Sequence, residues 1–284
     1  MTGDWVRYWR WAGQPVEAMH AHFERHVYHR HAHETYSFGV TESGAQAFTC
    51  RSGARVSGAG MVMAFNPGDP HDGHAARPAG FTYRMVHISP DLVAGLLADR
   101  AGRDWAGREQ SRPALPLFTQ PVIADPVLAR AVRRLHRSLT AGAPTLARDE
   151  ALGTAVAALA AHAARCTPEP EHVTRGDAAR VARTVRQVLD DNYTENLALA
   201  DVAAPTGRSR YTACRAFRTM YGLAPSDYQR LLRVRRASRL IAQGRPIAEA
   251  AAEAGFADQP HLNRWFTRYL GITPASYRRA LVTR

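Results

Sequence analysis

The chain has 284 residues, enough for two domains that each bury a core, and its 45% hydrophobic and 22% charged content are those of a folded globular protein, which excludes a largely disordered one. All 37 basic residues are arginine, and they are unevenly matched: 18 arginines stand against 16 acidic residues over 1–174, but 19 against 9 over 175–284. No apolar run reaches the ~18 residues of a membrane span, the start MTGDWVRYWRW lacks a signal-peptide core, and the three cysteines show no CxxC spacing, so a cytoplasmic protein without a disulfide framework or zinc knuckle is expected.

In chain order, the first conspicuous stretch is HRHAHETYSFGV at 29–40, which sets His29, His31 and His33 at alternate positions with Glu34 and Tyr36 close behind. Up to about residue 90 the sequence runs in short β-rich pieces broken by Gly and Pro (AFTCRS, GMVMAF, NPGDPHDGH, GFTYRMVHI), a spacing that predicts a small antiparallel barrel or sandwich. In FTYRMVHI, Phe81, Tyr83, Met85 and His87 share one face. From about residue 125 the period changes to three and four, predicting two helices; the second is Ala-rich and has Leu152, Val156, Leu159 and Ala163 on one stripe. TPEPEHVTRGD, 167–177, has two prolines and little apolar content and is assigned as a linker between domains at 1–166 and 178–284.

Beyond the linker the chain repeats itself. RAFRTMYGLAPSDYQR (215–230) lies over RWFTRYLGITPASYRR (264–279), matching Arg215 with Arg264, Phe217 with Phe266, Gly222 with Gly271, Pro225 with Pro274 and Tyr228 with Tyr277. Upstream, LADVAAPTG (199–207) lies over IAEAAAEAG (247–255). Each copy reads as helix, glycine turn, helix: Gly207 and Gly255 make the turns, Ser209 and Asp258 cap the second helices, and Gly222 and Gly271 stop them. Between the copies, 226–244 is one helix, with Tyr228, Leu231, Leu232, Ala237, Leu240 and Ile241 facing inward.

Two helices meeting at a glycine turn, in a basic segment, form the shape that lays its second helix in a DNA major groove. A helical protein-binding array is the competing reading, but solenoids need three or more repeats. Burying Phe217 places Arg210, Tyr211, Cys214, Arg215 and Arg218 on the opposite face or its flanks; burying Phe266 does the same for Gln259, Pro260, His261, Asn263, Arg264 and Arg268. Arg matches guanine edges, and Gln and Asn match adenine, so these are the candidate DNA-reading residues. Held about 34 Å apart, two such readers meet successive turns of one DNA face.

Residues 180–280 resemble the double helix-turn-helix domain of the AraC/XylS family of bacterial transcription regulators, with GFADQPHLNRWFTRYLGITPASYRR matching the second-half signature nearly throughout. The first half departs twice: Pro205 sits in the last turn of its first helix, where it costs a helical bond unless the helix bends, and Arg208 stands where the family places an apolar residue. Residues 20–90 are similar, more weakly, to the family's cupin-like sensor barrel. The resemblance implies an α+β chain: a cupin-like β-barrel with following helices, then an all-α double helix-turn-helix. It also implies double-stranded promoter or operator DNA, a small-molecule effector and RNA polymerase as partners, with residence on the nucleoid when bound and activation as the family's usual mode; nothing in the residues separates activator from repressor.

Metal-binding cupins follow HxH with Glu three or four residues on and close with a later His. His31, His33 and His71 fit, but Ser37 and Phe38 occupy the Glu position and Glu34 points to the other strand face. No metal, no other cofactor and no catalytic residue is therefore expected. His31, His33, Tyr36, His71, Tyr83 and His87 are instead assigned to an effector pocket, with ordinary hydrogen-bonded histidines as the plainer alternative. Homodimerisation through the Ala-rich helix is expected. The alternative functions are a cupin metalloenzyme with a basic accessory domain and a nonspecific nucleic-acid or scaffold protein.

Overall fold

A computed structural model describes residues 3–11, 13–51, 53–100, 115–165 and 176–282. It divides into two compact units: Met1–His26, His33–Asp69 and His74–Pro170 in the first, and Val27–Ala32, Pro70–Gly73 and Glu171–Arg284 in the second. Cys166 and most of the predicted linker lie outside the described residues.

The sheet-rich part holds β1 (Trp5–Arg10), β2 (Val16–Phe23), β3 (Tyr28–His31), β4 (Tyr36–Cys50), β5 (Gly53–Gly58), β6 (Val62–Phe65), β7 (His71–Ala75), β8 (Phe81–Ile88) and β9 (Val122–Ile123). The hydrogen-bonded order is β1-β2-β8-β4-β6-β9, with β5 on β4 and β3 on β7. This path does not return to its first strand among the described residues, so the cupin-like sheet is not a closed barrel. Alternation along β4 divides two environments. Tyr36, Phe38 and Val40 join Val62, Ala64, Val86 and Ile88 in a core shared with α1 (Pro90–Arg100), α2 (Pro126–Thr140) and α3 (Thr145–Arg165). Ser37, Gly39 and Thr41 face the other way.

α2 starts because Asp125 accepts hydrogen bonds from the Val127 and Leu128 N–H groups, with Pro126 supplying a first-turn residue that has no N–H to satisfy. The stripe Leu152, Val156, Leu159 and Ala163 of α3 is buried in the core of its own unit.

The second unit is helical apart from its two strand segments: α4 (Asp177–Asn192), α5 (Leu199–Ala203), α6 (Arg210–Tyr221), α7 (Pro225–Ala242), α8 (Ile247–Glu253), α9 (Gln259–Leu270) and α10 (Pro274–Val282). Pro205 does end the first helix: α5 closes at Ala203 and a 3-10 turn, Ala204–Thr206, leads to Gly207. The Arg208 guanidinium pairs with Asp177 at 2.8 Å on the surface. α7 buries Tyr228, Leu231, Val234, Ala237, Leu240 and Ile241, so Val234 replaces the predicted Leu232, which is half-buried. The backbone carbonyls of Tyr193, Thr194 and Glu195, just past the end of α4, accept hydrogen bonds from Arg233, and those of Tyr193 and Glu195 from Gln229 as well.

His136 on α2 is fully buried, its Nε2 facing the Met19 carbonyl at 3.0 Å and its Nδ1 facing an Arg84 N–H at 3.3 Å. Nε2–H must donate and Nδ1 must accept, so the neutral ring is the one that fits, and burial, then Arg84, lowers its pKa to about 3. His20 is lowered to about 4, again chiefly by burial. Below pH 6.5 the unfolded chain therefore takes up protons that the folded chain refuses, and stability falls with falling pH by up to about 1.4 kcal/mol per unit for each such ring. Urea unfolding at pH 7.5 and pH 5 should show this loss, and His136→Gln should reduce it by about 2 kcal/mol; an unchanged pH dependence would contradict the assignment.

Candidate nucleic-acid interface

The two halves of the repeat adopt the same local geometry. Ser209 caps α6 by accepting from the Thr212 N–H, and Asp258 caps α9 by accepting from that of His261. Gly222 and Gly271 end these helices in the left-handed conformation, at φ 68° and 73°. At Gly255, φ is 82° and an added Cβ would lie 2.6 Å from the Thr194 carbonyl oxygen, so the turn before α9 requires glycine. Phe217 meets Tyr228 at 5.5 Å and 64°, and Phe266 meets Tyr277 at 5.5 Å and 63°. This shared edge-to-face contact sets the same rotation of both second helices about their axes.

With Ala213 and Phe217 inward, Arg210, Tyr211, Arg215 and Arg218 are exposed on α6 and Cys214 is half-buried. The Arg210 guanidinium lies 5.1 Å over the Tyr211 ring. On α9, Leu262, Phe266 and Tyr269 are buried; Gln259, Pro260, Arg264 and Arg268 are exposed and Asn263 is half-buried. His261 is half-buried as well. Its Nε2 accepts from the Trp265 N–H at 3.1 Å and its ring meets Phe256 edge-on, which ties it to its own helix and turn. Sequence reasoning missed Trp265, which lies between two guanidinium groups: Arg230 at 4.3 Å and Arg268 at 5.0 Å from its ring centre. It missed Asp190 too, which accepts from the Tyr228 hydroxyl; burial and this carboxylate push that phenol up to about 12.

Among the histidines, His31 and His71 are cross-strand partners with rings 4.6 Å apart. His31 Nδ1 donates to the His29 carbonyl at 2.7 Å, which turns Nε2 away from the backbone, and burial, then His71, holds the ring well below its usual pKa and so neutral. His33 lies 4.8 Å from His87, whose Nδ1 is 2.9 Å from the Ser37 hydroxyl.

Tyr36 is a correction to the expected pocket. It pairs with Ile88 on the helix-facing side of β4, stacks with Phe38 and donates to the Pro116 carbonyl, so its side chain lies on the opposite face from Ser37 and His87. Tyr83 is on the same face of β8 as His87 but is packed between Phe23 and Phe81. The face it shares carries a row that the sequence did not reveal: Met19, Met85, Gly39 and Met63 are successive register partners across β2, β8, β4 and β6. Gly39 makes room for a methionine, since a Cβ there would lie 2.8 Å from Met85 Cε.

Residues 14–156 match the family described as AraC-like ligand binding domain, and residues 202–280 match a helix-turn-helix domain. The HTH-type transcriptional regulator YbfI of Bacillus subtilis is 28% identical over 238 residues, 82% of this chain and 80% of that protein. ToxT of Vibrio cholerae O395 shares the fold, with a TM-score of 0.55 at 11% identity over 99% of both chains. ToxT bound to an unsaturated fatty acid, from strain SCE256, has a TM-score of 0.52 at 10% identity over 100% of this chain and 98% of that one. With a ligand-binding match over half its length and a duplicated helix-turn-helix behind it, the chain belongs to the AraC/XylS family of DNA-binding transcriptional regulators.

Proposed function

We propose that this regulator reads a two-part DNA site with α6 and α9, under the control of a small molecule bound on the methionine-lined face of its sheet. The observation that carries the reading is the identical Phe–Tyr packing of the two repeats, which turns Arg215 and Arg264, matched positions of the duplication, to the outside alike. Arg210, Tyr211, Cys214 and Arg218 join Arg215 on the first reader; Gln259, Pro260, Asn263 and Arg268 join Arg264 on the second, with His261 acting as a helix brace.

The effector's body lies along Met19, Met85 and Met63, soft side chains that adapt to an irregular apolar surface, and its polar end meets Ser37 and His87. The fatty acid held by ToxT is a molecule of this type. Effector and DNA are linked reciprocally: each must bind one arrangement of the chain more tightly than the other. Residues 1–166 sense, 178–284 read, and the protein acts without catalysis, in the cytoplasm and on the nucleoid. Among the described residues no helix is long and apolar enough to cross a membrane. The family's habits extend the proposal to a homodimer and to contact with RNA polymerase.

Duplexes selected from a random pool should converge on two short motifs about one helical turn apart. Arg215→Ala and Arg264→Ala should each weaken binding to the selected duplex by about 1–3 kcal/mol and relax preference in one motif; unchanged affinity and preference in both would contradict the reader assignment. Native mass spectrometry of the untagged protein should show a stoichiometric organic mass, or a panel of medium- and long-chain fatty acids should raise its Tm. The absence of both a bound organic mass and a Tm shift with any of the acids would contradict the effector reading.

A further inference from the structure

We infer that the segments Val27–Ala32 and Pro70–Gly73 form a built-in clamp that fixes the spacing between the two reading helices, with His29, Arg30 and Arg235 as its positioning residues. These segments come from the first third of the sequence, yet they belong to the helical second unit. They touch three of its helices.

At the end of α6, Arg30 Nε donates to the Gly222 carbonyl at 2.8 Å, a charged donor on one of the carbonyls that a helix end leaves without an internal partner. Pro70 packs on the same residue so closely that a Cβ on Gly222 would lie 2.7 Å from its Cγ; this, besides its φ of 68°, is a reason for glycine there. On α7, Arg235 donates to the Ala32 carbonyl at 2.7 Å and Asp227 faces His29 Nε2 at 3.2 Å. On α9, the rings of Trp265 and Tyr269 meet His29 edge-on at 5.5 and 5.6 Å. The Tyr269 hydroxyl donates to the Asp227 carbonyl, which ties α9 to α7 at the point where His29 enters.

The six residues of Val27–Ala32 thus bridge the C-terminal end of one reader and the flank of the other. The pairs are partly exposed, with His29 at 37% and Asp227 at 23%, so each adds little stability by itself. Their consequence is geometric: readers meant for successive turns of DNA need a fixed separation, and a polar clamp across α6, α7 and α9 holds it. The inference rests on the reading of α6 and α9 as DNA readers.

The test uses the full chain carrying His29→Ala with Arg30→Ala, set against the conservative His29→Gln with Arg30→Lys. Two readouts are taken: hydrogen exchange of 222–228 and 265–270, and the motifs each protein selects from random duplexes at fixed salt. The Ala variant should exchange in both segments about tenfold faster and select the same two half-motifs at several spacings, while the conservative variant keeps the wild-type single spacing. An unchanged exchange rate overturns the clamp; so does faster exchange with an unchanged spacing, which reduces these contacts to ordinary support. If the wild type selects no motif, the DNA reading fails on its own account, and exchange alone decides whether the segments clamp the helices.

Discussion

In both repeats a phenylalanine on the second helix is buried edge-on against a tyrosine on the helix that follows, Phe217 on Tyr228 and Phe266 on Tyr277. A helix of about twelve residues has little independent stability and no preferred rotation about its axis; tertiary packing supplies both. Once the ring contact fixes the rotation, the cap at Ser209 or Asp258 fixes where the helix begins and the left-handed glycine fixes where it ends. What faces outward then follows from the sequence, and it is arginine-rich in both copies.

This is why the second half of the chain was legible in advance. Capping residues, turn glycines and a single large aromatic are local signals, and a duplication states each of them twice. Even Pro205 acted as its chemistry dictates, by ending α5 and passing the chain through a 3-10 turn to Gly207. What was not legible was side-chain packing. Val234 rather than Leu232 completes the inward face of α7, and His261 accepts from Trp265 one turn along its own helix.

The first half was less legible, since strand pairing joins residues far apart in sequence. Alternation correctly puts Tyr83, Met85 and His87 on one face of β8, but it does not say which face of β4 opposes them. Tyr36 was therefore grouped with the histidines, although the register pairs it with Ile88 on the helix side. The methionine row exists only once four strands are placed side by side. The barrel or sandwich suggested by strand spacing is a cupin-like sheet whose path stays open among the described residues, and the apolar stripe of α3 is buried within its own unit.

Hydroxyl-radical footprinting of the full chain on its selected duplex tests the central claim most directly, because it maps backbone protection without assuming which residues make it. Two protected patches on one face of the DNA, about ten base pairs apart, are the predicted result. A single patch, or protection spread evenly around the duplex, would contradict a chain built to read two successive turns.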